Sequence, residues 1–179
     1  MLPTASISRL PGGAHKLTIQ GRFNSPHWLV VLFLGLAEQK ISVQSGRARC
    51  GEANHWEGEI VLDFSHSTSK PEALNYVEMA LRQIPVPPDK LPRLTRFAVT
   101  RRADQALEAE VEGPDQTGFL ARLLGRASLL LLFPTEIDIA TVEGRVLDRF
   151  VFRGFAGAAP SEANSQSLES LLAGLVTAP

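Results

Sequence analysis

The stretch from residue 107 to residue 130 reads LEAEVEGPDQTGFLARLLGRASLL, and it predicts a strand, a turn and a helix in direct succession. Leu107, Ala109 and Val111 alternate with glutamates, which is the period of two of a half-buried strand. The turn-forming residues 113–118 follow, and apolar residues then recur at helical spacing from Phe119 to Leu130. The stretch therefore predicts one strand-turn-helix unit.

The same succession occurs earlier in the sequence. Residues 15–23 alternate in the same way, and Ser25 and Pro26 then provide an N-cap and a first helical position ahead of the apolar residues 28–36. Setting Gly21 beside Gly113 aligns the two first helices without a gap. The chain therefore contains an internal repeat.

Each repeat continues with further elements in the same order. Residues 56–64 alternate as a strand, residues 74–84 form a second apolar stripe, the prolines at 85, 87, 88 and 92 make a connector, and Phe97 and Val99 indicate a fourth strand. The order strand, helix, strand, strand, helix, strand is typical of a ferredoxin-like module. The second copy continues through strands near 137–139 and 146–152 to a last helix near 168–175.

These patterns predict an α+β protein of two tandem ferredoxin-like βαββαβ modules, with antiparallel sheets and the helices on one face. The first module spans residues 1–102 and the second spans 103–179, which leaves the second module without its last strand. Because an unpaired sheet edge attracts another strand, we expect either residues 4–9 or a second protomer to cover it. We therefore expect a homodimer or a larger even oligomer.

The composition narrows the functional classes. The net charge is −1, with 18 Lys and Arg against 19 Asp and Glu, so we expect neither nucleic acid nor an anionic membrane as a partner. The longest apolar run, residues 28–36, is too short to span a bilayer. Cys50 is the single cysteine, and no secretory signal is visible, so we expect a cytoplasmic protein without disulfides.

The second repeat resembles the ACT domain family. The similarity lies in residues 112–123 (EGPDQTGFLARL), residues 137–142 (IDIATV) and residues 146–150 (VLDRF), and it covers roughly 106–176. It is closest to the ACT domains of bacterial nitrogen-sensing uridylyltransferases and glycine-cleavage regulators. Residues 15–101 are more weakly similar, because the first turn, NSPHW at 24–28, lacks the glycine of the family pattern.

The resemblance implies a small-molecule sensor, usually of amino acids, built from tandem ACT domains. The implied ligand-binding residues are Asp115, Gln116, Thr117, Gly118, Phe119 and Leu120, with Asn24 and Trp28 as a possible counterpart in the first module. Elementary chemistry points to the same turn, since N–H groups at a helix start favour a carboxylate and a glycine permits close approach. Two alternatives stay open: residues 115–118 as a purely structural turn, and Trp28 as a core residue.

The sequence predicts neither an enzyme nor a metal or cofactor site. It contains no G-x-S-x-G, P-loop or H-E-x-x-H pattern that would anchor hydrolytic or nucleotide chemistry. A regulatory, amino-acid-sensing protein that acts through assembly or a partner is the preferred function. One alternative is a ligand-free dimerisation or scaffolding module. The other is RNA binding, which the aromatic residues of 149–155 favour. Glu108, Glu110 and Glu112 argue against RNA binding, because they repel phosphate.

Overall fold

The computed structural model describes residues 2–82 and 91–177, which form one eight-stranded antiparallel sheet with four α-helices. The elements are β1 (Thr4–Arg9), β2 (His15–Arg22), α1 (Trp28–Glu38), β3 (Ser42–Cys50), β4 (His55–Asp63), α2 (Tyr76–Leu81), β5 (Arg96–Arg101), β6 (Leu107–Pro114), α3 (Phe119–Leu129), β7 (Phe133–Val142), β8 (Arg145–Arg153) and α4 (Glu162–Leu175). The strand order is β1-β2-β4-β3-β7-β8-β6-β5. The predicted class, α+β with two tandem ferredoxin-like modules, is confirmed.

All four helices pack on the same face of the sheet. The alternating apolar residues of the strands, such as Leu17 of β2 and Phe150 of β8, share one buried cluster with Leu32 of α1, Leu123 of α3 and Leu172 of α4. The opposite face carries charged side chains, because successive strand residues point to opposite sides. Arg149 of β8, for example, donates there to the Glu108 carboxylate at 2.7 Å.

Helix α1 is buried almost all round, which explains its apolar sequence. It packs against both α2 and α3 as well as the sheet. Its contact with α2 is close: a Cβ placed on Gly35 would lie 2.3 Å from a side-chain carbon of Met79. A helix with neighbours on three sides has little face left for solvent, so the polar stripe typical of a surface helix is missing.

The two modules are joined side by side through β3 and β7. These strands pair antiparallel, with Arg47 opposite Asp138. On the charged face Arg49 of β3 makes ion pairs with Glu136 and Asp138 of β7, the latter at 3.3 Å. We call this β3–β7 junction the seam.

The predicted edge strands need a correction. β5 pairs with β6, and β1 pairs with β2, so each unit runs strand, strand, helix, strand, strand, helix. The second module therefore does not lack a strand: β5, assigned from the sequence to the first module, fills that edge. The physical reason is local, since residues 102–105 close a tight hairpin in which Arg102 N–H donates to the Ala106 carbonyl at 2.9 Å.

Strand pairing also bears on where the modules divide. The predicted division after Arg102 falls inside the β5–β6 hairpin. We propose instead a division ahead of β5, which keeps four strands and two helices in each unit. The connector prolines at 85, 87 and 88 and the predicted helix residue Ile84 lie outside the described residues.

The repeated glycine has the same structural task in both units. A Cβ on Gly21 would lie 2.6 Å from the Cα of Pro3, and one on Gly113 would lie 2.6 Å from the Arg93 carbonyl oxygen. In each unit the chain that enters the edge strand thus crosses directly over this glycine. None of the helices in residues 2–82 and 91–177 has the length and apolar character to cross a bilayer.

Candidate ligand-binding cleft

A small cleft, partly open to solvent, lies where the two units meet on the helical face. The first unit contributes the C-terminal half of α1 and the start of β3, and the second contributes the loop before α3 with parts of β7 and β8. The lining residues are Phe33, Ala37, Ile41, Ser42, Val43, Asp115 to Ala121, Ile139, Thr141, Val146 and Asp148. All six residues that the sequence predicts for the second-module site lie in this lining.

The loop before α3 presents backbone N–H groups to the cleft. Gly118 precedes the helix with φ of +75°, a left-handed conformation that favours glycine. Phe119 N–H donates to the Gln116 carbonyl at 2.9 Å, and Arg122 N–H donates to the Gly118 carbonyl at 3.1 Å. The N–H groups of Leu120 and Ala121 donate to no described backbone carbonyl, so they are available to an acceptor in the cleft.

The predicted site residues divide by what their side chains do. The Gln116 side chain donates to the Arg93 carbonyl at 3.1 Å and accepts from Arg93 N–H at 3.2 Å, so it fastens the loop to the β5 lead-in. Phe119 and Leu120 have buried side chains, which leaves only their backbone to a ligand. Asp115 and Thr117 are exposed beside the cleft.

Asp148 of β8 also lines the cleft, although it is not among the site residues predicted from the sequence. Its side chain is only 3% exposed. Oδ1 accepts from Ala140 N–H at 3.2 Å, whereas Oδ2 is buried and has no hydrogen-bond donor in the described part of the chain. Burial raises the pKa of this carboxyl from 3.8 to about 7; the Ala140 hydrogen bond opposes the rise, and the negative charge of Asp115 adds to it.

A signal for Asp148 was present in the sequence. In β8 the alternating positions 146, 148, 150 and 152 all lie in the buried phase, and the other three are Val, Phe and Phe. A carboxylate in that phase is costly to bury without a partner, so it is a candidate for a functional residue.

The equivalent region of the first unit is filled by aromatic rings. Trp56 stands opposite Gly21 in the β2–β4 pair, as Val146 stands opposite Gly113 in the β6–β8 pair, so Trp56 is the counterpart of Val146. Trp28 stacks on Phe23 with ring centroids 3.9 Å apart and meets the edge of Trp56 at 5.1 Å.

The two predicted first-module residues are therefore not brought together around a shared space. Trp28 is only 1% exposed and belongs to the core, whereas Asn24 is exposed. Of the two alternatives that the sequence left open for Trp28, the structure places it in the core.

Two of the three aromatic residues that suggested RNA binding face the core, whereas Phe155 is 69% exposed. Phe150 and Phe152 are 0% and 2% exposed, so their rings are covered by helices and cannot stack on bases. Arg149, which directly precedes Phe150, donates on the opposite face of the sheet to Glu108 at 2.7 Å and to Asp138 at 2.8 Å. Phe150 and Phe152 therefore form no base-binding surface.

The fold and the cleft together define a protein of two tandem ferredoxin-like units with an ACT-like fold. Among solved structures the chain is similar to the crystal structure of aspartate kinase from Synechocystis, with a TM-score of 0.50 and 19% sequence identity. The similarity covers 91% of this chain and 27% of the kinase chain, so this chain spans about a quarter of that enzyme. No protein-family model and no curated protein sequence matches the chain.

Proposed function

We propose that this chain is a regulatory module that binds a free amino acid in the cleft and acts through assembly or through a partner chain, without catalytic activity of its own. The observation that carries the proposal is chemical: unengaged N–H groups at the start of α3 lie in the same cleft as the carboxylates of Asp115 and Asp148. An amino acid carries the two opposite charges that such groups recognise. The similarity to a quarter of an enzyme named aspartate kinase is in line with a regulatory unit of this fold.

The carboxylate of the amino acid would bind at the start of α3. The N–H groups of Leu120 and Ala121 and the positive end of the helix dipole favour an anion there. Arg122 adds a positive charge, since its guanidinium nitrogens lie 3.6 and 3.7 Å from the position that a Cβ on Gly118 would take. No carboxylate of the described residues forms an ion pair with Arg122, so its charge is not neutralised locally.

The ammonium group would meet Asp115, whose exposed carboxylate stands at the mouth of the cleft. The side chain of the amino acid would then lie toward Ala37 and Val43 of the first unit. A ligand held in this way touches both units across the seam. Binding would favour one relative position of the units, which is the requirement for coupling to a distant partner.

The test is a thermal-shift screen with each of the twenty standard amino acids, followed by calorimetry on those that stabilise the chain. Asp115→Ala should weaken binding about fivefold to about 150-fold, which corresponds to the usual loss of about 1 to 3 kcal/mol for one charged hydrogen-bond partner. Glu110→Ala is the matched control, because Glu110 is exposed on β6 and points away from the cleft. If no amino acid raises the melting temperature, the ligand-free scaffolding function replaces this proposal.

We also propose that the chain assembles into a homodimer or a larger even oligomer, now on the basis of its two outer sheet edges. The missing strand no longer supports it, but β1 and β5 form the two outer edges of the sheet. Each leaves one row of backbone groups for another strand. Light scattering at tens of micromolar protein decides it, and a clean monomer with and without the selected amino acid contradicts assembly.

A further inference from the structure

We propose that Asp148 is a ligand-recognition residue that forms an acidic pair with Asp115 for an ammonium group, and that binding of this group releases a proton from the cleft. The inference rests on the proposed function and adds the residue that recognises the cation and the proton coupled to its arrival. It concerns a side chain on β8, away from the loop that the sequence indicates.

One oxygen of the Asp148 carboxylate lacks a hydrogen-bond donor in the described part of the chain. Asp148 lines the cleft, is 3% exposed, and has one oxygen satisfied by Ala140 N–H and the other with no donor in residues 2–82 and 91–177. Buried polar atoms in native proteins nearly always have a partner. A cationic N–H donor that enters the cleft supplies both the hydrogen bond and the charge that Oδ2 lacks.

Among the residues that the structure describes, no cation forms an ion pair with Asp148. Glu110 and Glu112 of β6 and Asp138 of β7 alternate with core residues and project from the opposite face of the sheet. The residues that α1 and β3 contribute to the cleft are not titratable. Asp115 is the charged group that acts on Asp148, and Arg122 lies beside Gly118 at the helix start.

The fold itself does not require a carboxylate at this position. The counterpart of Asp148 in the first unit is Gly58, because Gly58 stands opposite Ile19 as Asp148 stands opposite Val111. A Cβ on Gly58 would lie 3.0 Å from the Cβ of Ala48, so a side chain there would be crowded. The unit with the open cleft has an acid at this site, and the unit filled with aromatic rings has none.

The proton balance follows from the two charge states. Without a ligand, the Asp148 carboxyl holds a proton up to near-neutral pH, since burial disfavours its ionised form and the negative charge of Asp115 adds to this effect. An ammonium group favours the ionised form, so the carboxyl proton leaves to solvent while the ammonium keeps its own protons. The positive charge of the ammonium group is then neutralised by the ionised Asp148 carboxylate, with which it forms an ion pair.

The experiment is calorimetry on the full chain with the amino acid selected from the twenty-member screen. Each titration is run at pH 6 and pH 8 in two buffers of different ionisation enthalpy. We expect roughly one proton released per bound amino acid at pH 6, almost none at pH 8, and roughly tenfold tighter binding at pH 8. The N-acetyl derivative of the same amino acid, which lacks the ammonium group, should show neither effect.

The variants separate recognition from a structural role. Asp148→Asn keeps the shape of the side chain and should abolish both the proton release and the pH dependence while weakening binding at pH 8. Asp115→Asn should weaken binding but leave proton release at pH 6. If the wild-type chain binds an amino acid without proton release, or if Asp148→Asn binds it unchanged, the inference is overturned while the proposed function stands. If no amino acid binds at either pH, both are overturned.

Discussion

Asp148 and Gly58 occupy the same position in the two units of the sheet, and they differ by a buried carboxylate. Each is placed by register, Gly58 opposite Ile19 and Asp148 opposite Val111. One unit thus carries an ionisable group under its helices where the other carries only a hydrogen atom. The first prediction concerns what this carboxylate does to stability.

Asp148→Asn should stabilise the chain at alkaline pH. The folded-state pKa is raised from 3.8 to about 7, so between these values the folded state holds a proton that the unfolded state has lost, and stability falls as pH rises. The full penalty is present above pH 7 and amounts to at most about 4 kcal/mol. Urea unfolding of both proteins at pH 5 and pH 8 checks it: the stability gained by the variant should be clearly larger at pH 8 than at pH 5, where about a third to a half of the penalty is present. An equal difference at both pH values contradicts the prediction.

Gly113→Ala should destabilise the second unit. Its Cβ would lie 2.6 Å from the Arg93 carbonyl oxygen, a backbone atom that moves only with the β5 lead-in. We expect a loss of about 1 to 3 kcal/mol, as for other overpacked sites. Gly174→Ala is the matched control, because nothing lies within 4 Å of its Cβ in α4, and it should gain about 0.5 to 1 kcal/mol. Chemical unfolding measures the stability of both variants. If the two substitutions change stability equally, the β5 lead-in does not cross tightly over Gly113.

Two substitutions at Gly118 should separate loop strain from blocked binding. The φ of +75° is unfavourable for valine but acceptable for asparagine. Gly118→Asn should therefore keep the melting temperature near that of the wild type, whereas Gly118→Val should lower it. Both should weaken amino-acid binding, since each places a side chain beside the N–H groups of the cleft. If the Gly118→Asn variant binds the amino acid as tightly as the wild type does, the ligand does not approach the backbone at Gly118.

Trp28→Ala should reduce stability and leave the binding stoichiometry unchanged. The ring is 1% exposed between Phe23 and Trp56, so its removal should cost about 3 to 5 kcal/mol. Because the first-unit region is filled, calorimetry on the wild-type chain should give one amino acid per chain. Two sites per chain would contradict this, and Asn24→Ala, an exposed change, should alter neither quantity.

The sequence predicts most of the fold because local periodicity and the repeated glycine are strong signals. Residues 115–118 form a turn, as the sequence predicts, since turn chemistry depends on a few neighbouring residues, and this turn lines the cleft. The partner of β5 could not be read in this way: pairing with β2 or with β6 satisfies the same alternating pattern in Phe97 and Val99. The tight 102–105 hairpin and the occupation of the β2 edge by β1 decide it.

The site was harder to predict than the fold. The side-chain amide of Gln116 has the right chemistry for a ligand, but Arg93, 23 residues away, engages it. Asp148 comes beside Asp115 only through the packing of β8 under the α3 loop. Both facts depend on contacts between residues that are far apart in sequence, and local sequence patterns do not display such contacts.

The seam has a consequence for the history of the chain. It joins two copies of the same strand in antiparallel register, which is how two identical molecules meet across a twofold axis. An ancestor of half this length could have paired with itself in this manner before its gene was duplicated and fused. Identical partners must carry every site twice and cannot lose one alone. Fusion removes that restriction, so one copy was free to fill with aromatic rings while the other kept an open cleft.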